Sequence, residues 1–508
     1  MEPAAAAERL NGKAVLITGA TGFIAKRNSD SLNLYLCSSP ELDAVLVEKI
    51  LRLQPRVKRL YLLVRARDQV SAKERVRSEI MQLQIFQSLR EKYQNRFTSW
   101  FWDKIFPVAG DVSLHNLGIG NIDLAEDIIK ETNIIIHMVA AVNFRERLGG
   151  YVYFFPTNHK RRYDTALAIN TMGVKHVLDV ALRCENLELV LHVSTAFVDG
   201  KKAGIVLEKP LHQYRSYDGQ SDLDISEEIA FAEAKLQELV CSNASEDTIK
   251  RSIRRLGHKG MMYQNLCMMA KQGPEVWMAE YLCFYKDYGN FHSVIVGNSL
   301  RNTMWNWAEQ LTYGLLIMVP ADSVVNAISC HRQGPLDLIY HIGSSMRNPL
   351  KIGELVHVMF RYFSEKPFVS AAGEVIKVKQ PIVPASMSSF YEHMDVHYKV
   401  PLQDMARRGL STTDEHDTYN RLKREYNFTV AVGEVFRPVT FFKRRFDDSN
   451  MQRLIAMMNE RDRELIPVTP SSLIGRSTSW KRTSPVSWNV NRGKQQGLGF
   501  RRISEFAQ

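Results

Sequence analysis

The sequence predicts an α/β fold, a doubly wound parallel sheet with a mostly helical C-terminal domain. Three observations carry it. An apolar run breaks into a glycine turn at Val15-Leu-Ile-Thr-Gly-Ala-Thr-Gly-Phe-Ile-Ala25. Further continuous apolar runs follow, as strands covered on both faces require. Late in the chain, apolar residues take a 3.6-residue period instead.

Composition bounds the rest. The chain has 508 residues, 45% hydrophobic and 24% charged, with room for two or three domains and a sizeable core. Its six cysteines (37, 184, 241, 267, 283 and 330) form no CxxC pair, which fits a reducing compartment and implies neither a disulfide frame nor a metal site. The net charge of +11 is concentrated in 471–508, where Arg476, Lys481, Arg482, Arg492, Lys494, Arg501 and Arg502 face Glu505 alone. The body is only mildly basic, which suits anionic small molecules and argues against nucleic acid. Residues 471–508, rich in Ser, Thr, Arg and Gly, are expected to be a disordered basic tail. Met1 to Leu10 lacks the features of a transit or signal peptide, and no apolar run approaches the ~20 residues of a membrane span. The expectation is an intracellular protein, cytoplasmic or attached peripherally to the endoplasmic reticulum.

In chain order, Ala14 to Ile17 is the first strand. Gly19 and Gly22 let the backbone turn sharply and approach a diphosphate with no Cβ in the way, and Ala25 keeps the third position small. The N–H groups at the helix start then face the phosphates. The pattern makes Thr18, Gly19, Thr21, Gly22, Phe23 and Ile24 candidate dinucleotide contacts; the plainer alternative is a tight strand-to-helix turn. Residues 27–44 are turn-rich and are read as an insertion, with the helix continuing at Val45 to Leu51. Arg59 to Val64 is the second strand. An acid at its end would grip the ribose hydroxyls of NAD, whereas Arg65 suits the 2′-phosphate of NADPH; less the insertion, its distance from Gly22 is close to the usual ~20 residues. A merely solvated arginine is the alternative.

Ile105 to Val112 is a strand running into a turn, where Asp111 can meet the adenine amino group beside Val112. Asn133 to Phe144 is the fourth strand signal, and small Ala140 near its end leaves space for a ribose. Residues 148–162 are read as a second insertion. A helix follows from Tyr163 with Val174, Val177, Leu178 and Ala181 on its apolar face. Leu187 to Val193 is the fifth strand and delivers Ser194 and Thr195 to the end where parallel sheets hold ligands. Further on, Asn348-Pro349 reads as a helix start, followed by Ile352, Leu355, Val356, Met359, Phe360 and Phe363 at helical spacing.

Thr18-Gly-Ala-Thr-Gly-Phe-Ile-Ala-Lys26, Leu62-Leu-Val-Arg-Ala66, Gly110-Asp111, Asn143-Phe144, Asn170-Thr171 and His192-Val-Ser-Thr-Ala-Phe-Val198 together resemble the alcohol-forming fatty acyl-CoA reductases of plants. Val319 to Ala327, Tyr340 to Pro349, Pro367-Phe368 and Phe446 to Asn450 continue the likeness. The resemblance implies a Rossmann-like extended short-chain dehydrogenase fold at 11–330, and a C-terminal helical reductase domain at 336–455. It implies reduction of long-chain acyl-CoA with two NADPH, through an aldehyde, to a primary alcohol, in wax- or suberin-type lipid metabolism.

Carbonyl reduction needs a donor to the developing alkoxide. The resemblance assigns that task to Thr195 and to a tyrosine with a lysine four residues on. No such pair stands in 257–317, a divergent segment. The nearest register, Cys267-Met-Met-Ala-Lys271, keeps Lys271 and puts Cys267 where tyrosine is expected. Tyr419 and Lys423 have the spacing but read as a solvated helix face. Two readings follow: an active reductase, or a catalytically impaired NADP(H)-binding relative that partners one. A third, a dehydrogenase of sugar nucleotides or steroids, fits the C-terminal resemblance poorly.

Overall fold

The computed structural model describes residues 8–19, 41–139, 167–194, 204–208, 225–246, 248–249, 252, 276–281, 315–316, 339–343, 345–347, 350–351, 360–361, 364–365, 368–369, 375–376, 386–440 and 444–465. Its centre is a seven-stranded sheet in which every pairing is parallel. The strands are β1 (Ala14–Thr18), β2 (Arg59–Val64), β3 (Ile105–Ala109), β4 (Thr132–His137), β5 (Leu189–Ser194), β7 (Val276–Tyr281) and β9 (Ile339–Ile342), in the spatial order β3-β2-β1-β4-β5-β7-β9. All of β1 is buried, which is why these strands read as unbroken apolar runs. Between them in sequence, β6 (Gly204–Val206) pairs in parallel with β13 (Arg444–Phe446). Two-residue ladders join β8 (Leu315–Leu316) to β10 (Leu350–Lys351), and β11 (Phe368–Val369) to β12 (Val375–Ile376).

Strand residues alternate between two cores. On one face Val15, Ile17, Leu62 and Val64 pack with Ala44, Leu46, Val47 and Ile50 of α1 (Glu41–Leu53). The same core takes side chains from α2 (Gln69–Val76), α3 (Gln87–Tyr93) and α4 (Phe97–Lys104). On the other face Leu16, Leu63 and Ile135 meet α5 (Ile122–Glu131) and α6 (Gly173–Ala181). Helix starts are capped as their sequences demand. The carboxylate of Asp68 accepts from Ser71 N at 2.7 Å before α2, and Asn121 Oδ1 accepts from Leu124 N at 3.0 Å before α5. After α7 (Ile225–Cys241), the C-terminal part holds α8 (Met387–Met394), α9 (Val400–Arg408), α10 (Thr413–Thr440), α11 (Ser449–Met457) and α12 (Glu460–Leu465). Phe390, Met394 and Tyr398 form a separate small core against Leu422, Tyr426 and Val430 of α10.

The α/β fold class is borne out, and several boundaries move. Residues 41–44, assigned to the first insertion, open α1, because Ala44 lies on the buried stripe with Val47 and Leu51. The divergent segment 257–317 contributes β7, which fills the sheet between β5 and β9. The boundary expected between 330 and 336 detaches β9, whose four residues are buried in the sheet. Phe446, Met451, Leu454 and Met458, beyond or near the end of the expected helical domain, share a core with β1 and β2. Leu350 and Lys351, which a helix starting at Asn348-Pro349 would include, form β10 instead, while Asn348 and Pro349 lie outside the described residues. Residues 352–359 and the tail 471–508 lie outside the described residues.

Candidate functional site at the carboxyl ends of the strands

The strand order reverses between β1 and β4: from β1 the chain builds outward to β2 and β3, then returns to add β4 and β5 on the other side. The connections diverge there and leave a crevice at the carboxyl ends, where doubly wound sheets bind nucleotides. Gly19 sits at its floor with φ +96°. A Cβ there would lie 3.1 Å from Met138 C and 3.1 Å from Val139 N, so this turn needs glycine both for its backbone angle and for the approach of β4. Met138 N donates to Thr18 O at 3.1 Å and closes the two strand ends together.

Thr18 itself is fully buried, with its Oγ1 2.6 Å from His137 Nδ1. Its hydroxyl thus faces the core rather than the crevice. His137 is the register partner of Thr18 on one side and of His192 on the other. The two rings stack with centroids 5.0 Å apart. Burial holds both imidazoles neutral: His137 falls well below the ordinary range, with His192 adding to the effect, and His192 falls to about 4. A row of Thr18, His137 and His192 therefore crosses three strands just below the crevice. Neither histidine stands out in the sequence as a candidate site residue, although a signal exists. Ile-Ile-Ile-His137 and Leu-Val-Leu-His192 each place one histidine at the end of an apolar run.

At the β2 side, Arg65 and Asp111 come together. Arg65 Nε lies 2.7 Å from Asp111 Oδ2 in an ion pair, and Nη2 donates to Oδ1 at 3.4 Å. Asp111 Oδ1 also accepts from Ser113 N at 2.9 Å and Ser113 Oγ at 2.7 Å. Gly110 N donates to Val64 O at 3.0 Å, tying this loop to the end of β2. Val112 is buried; its carbonyl lies 2.9 Å from His176 Nδ1, and its side chain packs on Gly173 at the start of α6. Tyr419 and Lys423 share one turn of α10, Lys423 exposed with its Nζ 5.4 Å from the Tyr419 ring, as the solvated-face reading expects. Thr21, Gly22, Phe23, Ile24, Ala140, Thr195, Cys267 and Lys271 lie outside the described residues. Among the described residues no group of three His, Cys, Asp or Glu side chains could hold a metal, and no helix is long and apolar enough to cross a membrane.

The glycine cradle, the crevice at the reversal of strand order and a cation at the end of β2 fit a nicotinamide dinucleotide. Comparison with known proteins agrees. The NAD-binding family described as "Male sterility protein" matches residues 42–152 and 156–261. That match passes through most of 148–162, so little of the stretch read as a second insertion is foreign to the family. "Fatty acyl-CoA reductase 1" of Arabidopsis thaliana is 33% identical over 492 residues, covering 90% of this chain and 92% of that protein. "Probable fatty acyl-CoA reductase 5" of the same plant is 31% identical over 89% of this chain and 91% of its own length. "Alcohol-forming fatty acyl-CoA reductase" of Simmondsia chinensis is 29% identical over 88% of this chain and 90% of its own length.

Proposed function

The chain belongs to the fatty acyl-CoA reductase family, and on that premise we propose that it reduces long-chain acyl-CoA with NADPH, through the aldehyde, to a primary alcohol. The observation that carries the reading is the crevice at the carboxyl ends of β1 and β4, with Gly19 at its floor and Arg65 on its β2 side. Two NADPH and two protons convert the thioester into alcohol and free thiol. The bound nicotinamide supplies the hydride in each reduction.

The chain's own residues do the rest. Gly19 lets the diphosphate approach the backbone, and Arg65 reads the 2′-phosphate. β5 ends at Ser194 on the crevice side, which supports Thr195 as a hydroxyl donor to the developing alkoxide. The chain must cross from Ser194 to the start of β7 at Val276, and Cys267 and Lys271 lie in that crossover. Lys271 holds the ribose, and Cys267 stands where a phenol would donate. A thiol is the weaker and shorter donor, so turnover is slower than a tyrosine would give. An acyl chain that shuns water and the basic balance of +11 support peripheral attachment to an anionic membrane such as the endoplasmic reticulum.

The test follows NADPH oxidation with a long-chain acyl-CoA and identifies the alcohol by chromatography. Lys271→Ala should abolish turnover, and Cys267→Tyr should raise it within the ~10²–10⁴-fold worth of a general acid. Alcohol formation unchanged in Lys271→Ala sinks this assignment of the catalytic residues. Arg65→Ala should lose ~10–150-fold in NADPH affinity with NADH unaffected, the value of a charge-assisted phosphate contact.

A further inference from the structure

The ion pair between Arg65 and Asp111 uses the guanidinium in a particular way. The carboxylate lies along the Nε–Nη2 edge, at 2.7 Å from Nε and 3.4 Å from Nη2. Among the described residues no hydrogen bond occupies Nη1. The end of the fork, Nη1 with the outer hydrogen of Nη2, is therefore left to a second ligand, and that end matches two oxygens of a phosphate. We propose that Asp111 is a positioning residue for nucleotide choice, which aims the fork of Arg65 at the 2′-phosphate.

Asp111 is built as a fixed post. Its N donates to Leu117 O at 2.7 Å and its carbonyl accepts from Leu114 N at 3.0 Å. Its Oδ1 takes two hydrogen bonds from Ser113 in addition to the long one from Arg65, which fixes the carboxylate's orientation. The loop carrying it is held to β2 through Gly110 N and Val64 O. The Arg65 backbone is held as well: its carbonyl accepts from Arg75 Nη1 at 2.6 Å, and Arg75 is fixed in turn by Glu79 at 2.8 Å. Arg65 and Asp111 are half-exposed and partly exposed, so the pair adds little to folding. Its effect lies in limiting the rotamers of a long side chain before the phosphate arrives.

The inference rests on Arg65 reading the 2′-phosphate, and the experiment separates the two. The full chain and its Arg65→Ala, Asp111→Asn and doubly substituted forms are titrated with NADPH and with NADH by fluorescence. Asp111→Asn should weaken NADPH by about 3- to 10-fold more than NADH, the scale of an exposed charge pair and one restrained side chain. In the Arg65→Ala background the second substitution should not change the ratio of NADPH to NADH affinity. Equal weakening of both nucleotides would place Asp111 on the shared adenosine and overturn the proposal. Tighter NADPH binding would show a carboxylate competing with the phosphate, and no change in either would show an idle pair; each overturns it too. If Arg65→Ala keeps the nucleotide preference, the underlying reading of Arg65 fails as well. Retained NADH affinity shows that each variant is folded, and Ser113→Ala, which loosens Asp111 without removing its charge, should weaken NADPH in the same direction by less.

Discussion

Glu208 offers a test of how the last strand of the sheet is joined to the C-terminal segment. Its side chain is only 7% exposed. One carboxylate oxygen accepts from His341 N of β9 at 2.6 Å, and the other accepts from Asn450 N of α11. Around it, His341 Nδ1 lies 2.7 Å from Asp447 O, Asn450 Nδ2 donates to Ile339 O at 2.8 Å, and Arg347 Nε donates to Asp448 Oδ2 at 2.8 Å. Burial pushes the Glu208 carboxyl from 4.5 up to about 7; the two backbone N–H groups and His341 pull it down, and Asp447 adds to the rise. The folded chain therefore keeps a proton that the unfolded chain has released between pH 4.5 and about 7. The stabilisation is complete below pH 4.5 and is lost as pH rises through 7. At 1.36 kcal/mol for each pH unit of that displacement, the loss is about 3 kcal/mol. Glu208→Gln cannot titrate. Its amide oxygen serves one N–H while its NH2 opposes the other, a cost of about 1–3 kcal/mol that does not vary with pH. Urea unfolding of both proteins from pH 5 to 8, read as the difference between them, should show the Glu208→Gln variant losing least stability relative to the parent at high pH. Parallel curves across that range would refute this account of the buried carboxylate.

Gly110→Ala should destabilise by about 1–3 kcal/mol, since its Cβ would lie 2.5 Å from Leu117 O, a carbonyl already held by Asp111 N. Denaturant midpoints measure the loss, and NADPH affinity should fall with it because Asp111 moves. Thr18→Val keeps the strand and removes the partner of His137 Nδ1, a cost of about 1–3 kcal/mol; an unchanged midpoint would show that the hydroxyl is dispensable there.

Much of this was legible in the sequence, for a physical reason. A sheet covered on both faces demands unbroken apolar runs, so β2 at Arg59–Val64 could be read residue for residue, β1, β3 and β5 nearly so, and β4 at its start. The glycine turn was legible because φ +96° at Gly19 and the nearness of Met138 leave no other residue at ease. β7 was not. Val-Trp-Met-Ala-Glu-Tyr lacks a clean period, and its place is set by pairing with β5 on one side and β9 on the other. β9 was hidden differently, in a stretch that read as the start of another domain. Arg65 and Asp111 were each singled out for the nucleotide; that they hold one another follows from β2 and β3 lying side by side, which carries residues far apart in sequence to 2.7 Å. His341 and Asn450 lie in stretches that carry the family likeness, but nothing in the sequence marked them, or Glu208, as partners. Their meeting depends on chain segments more than a hundred residues apart converging on the edge of the sheet, and a buried carboxylate acquires its role only from the N–H groups that the fold brings to it.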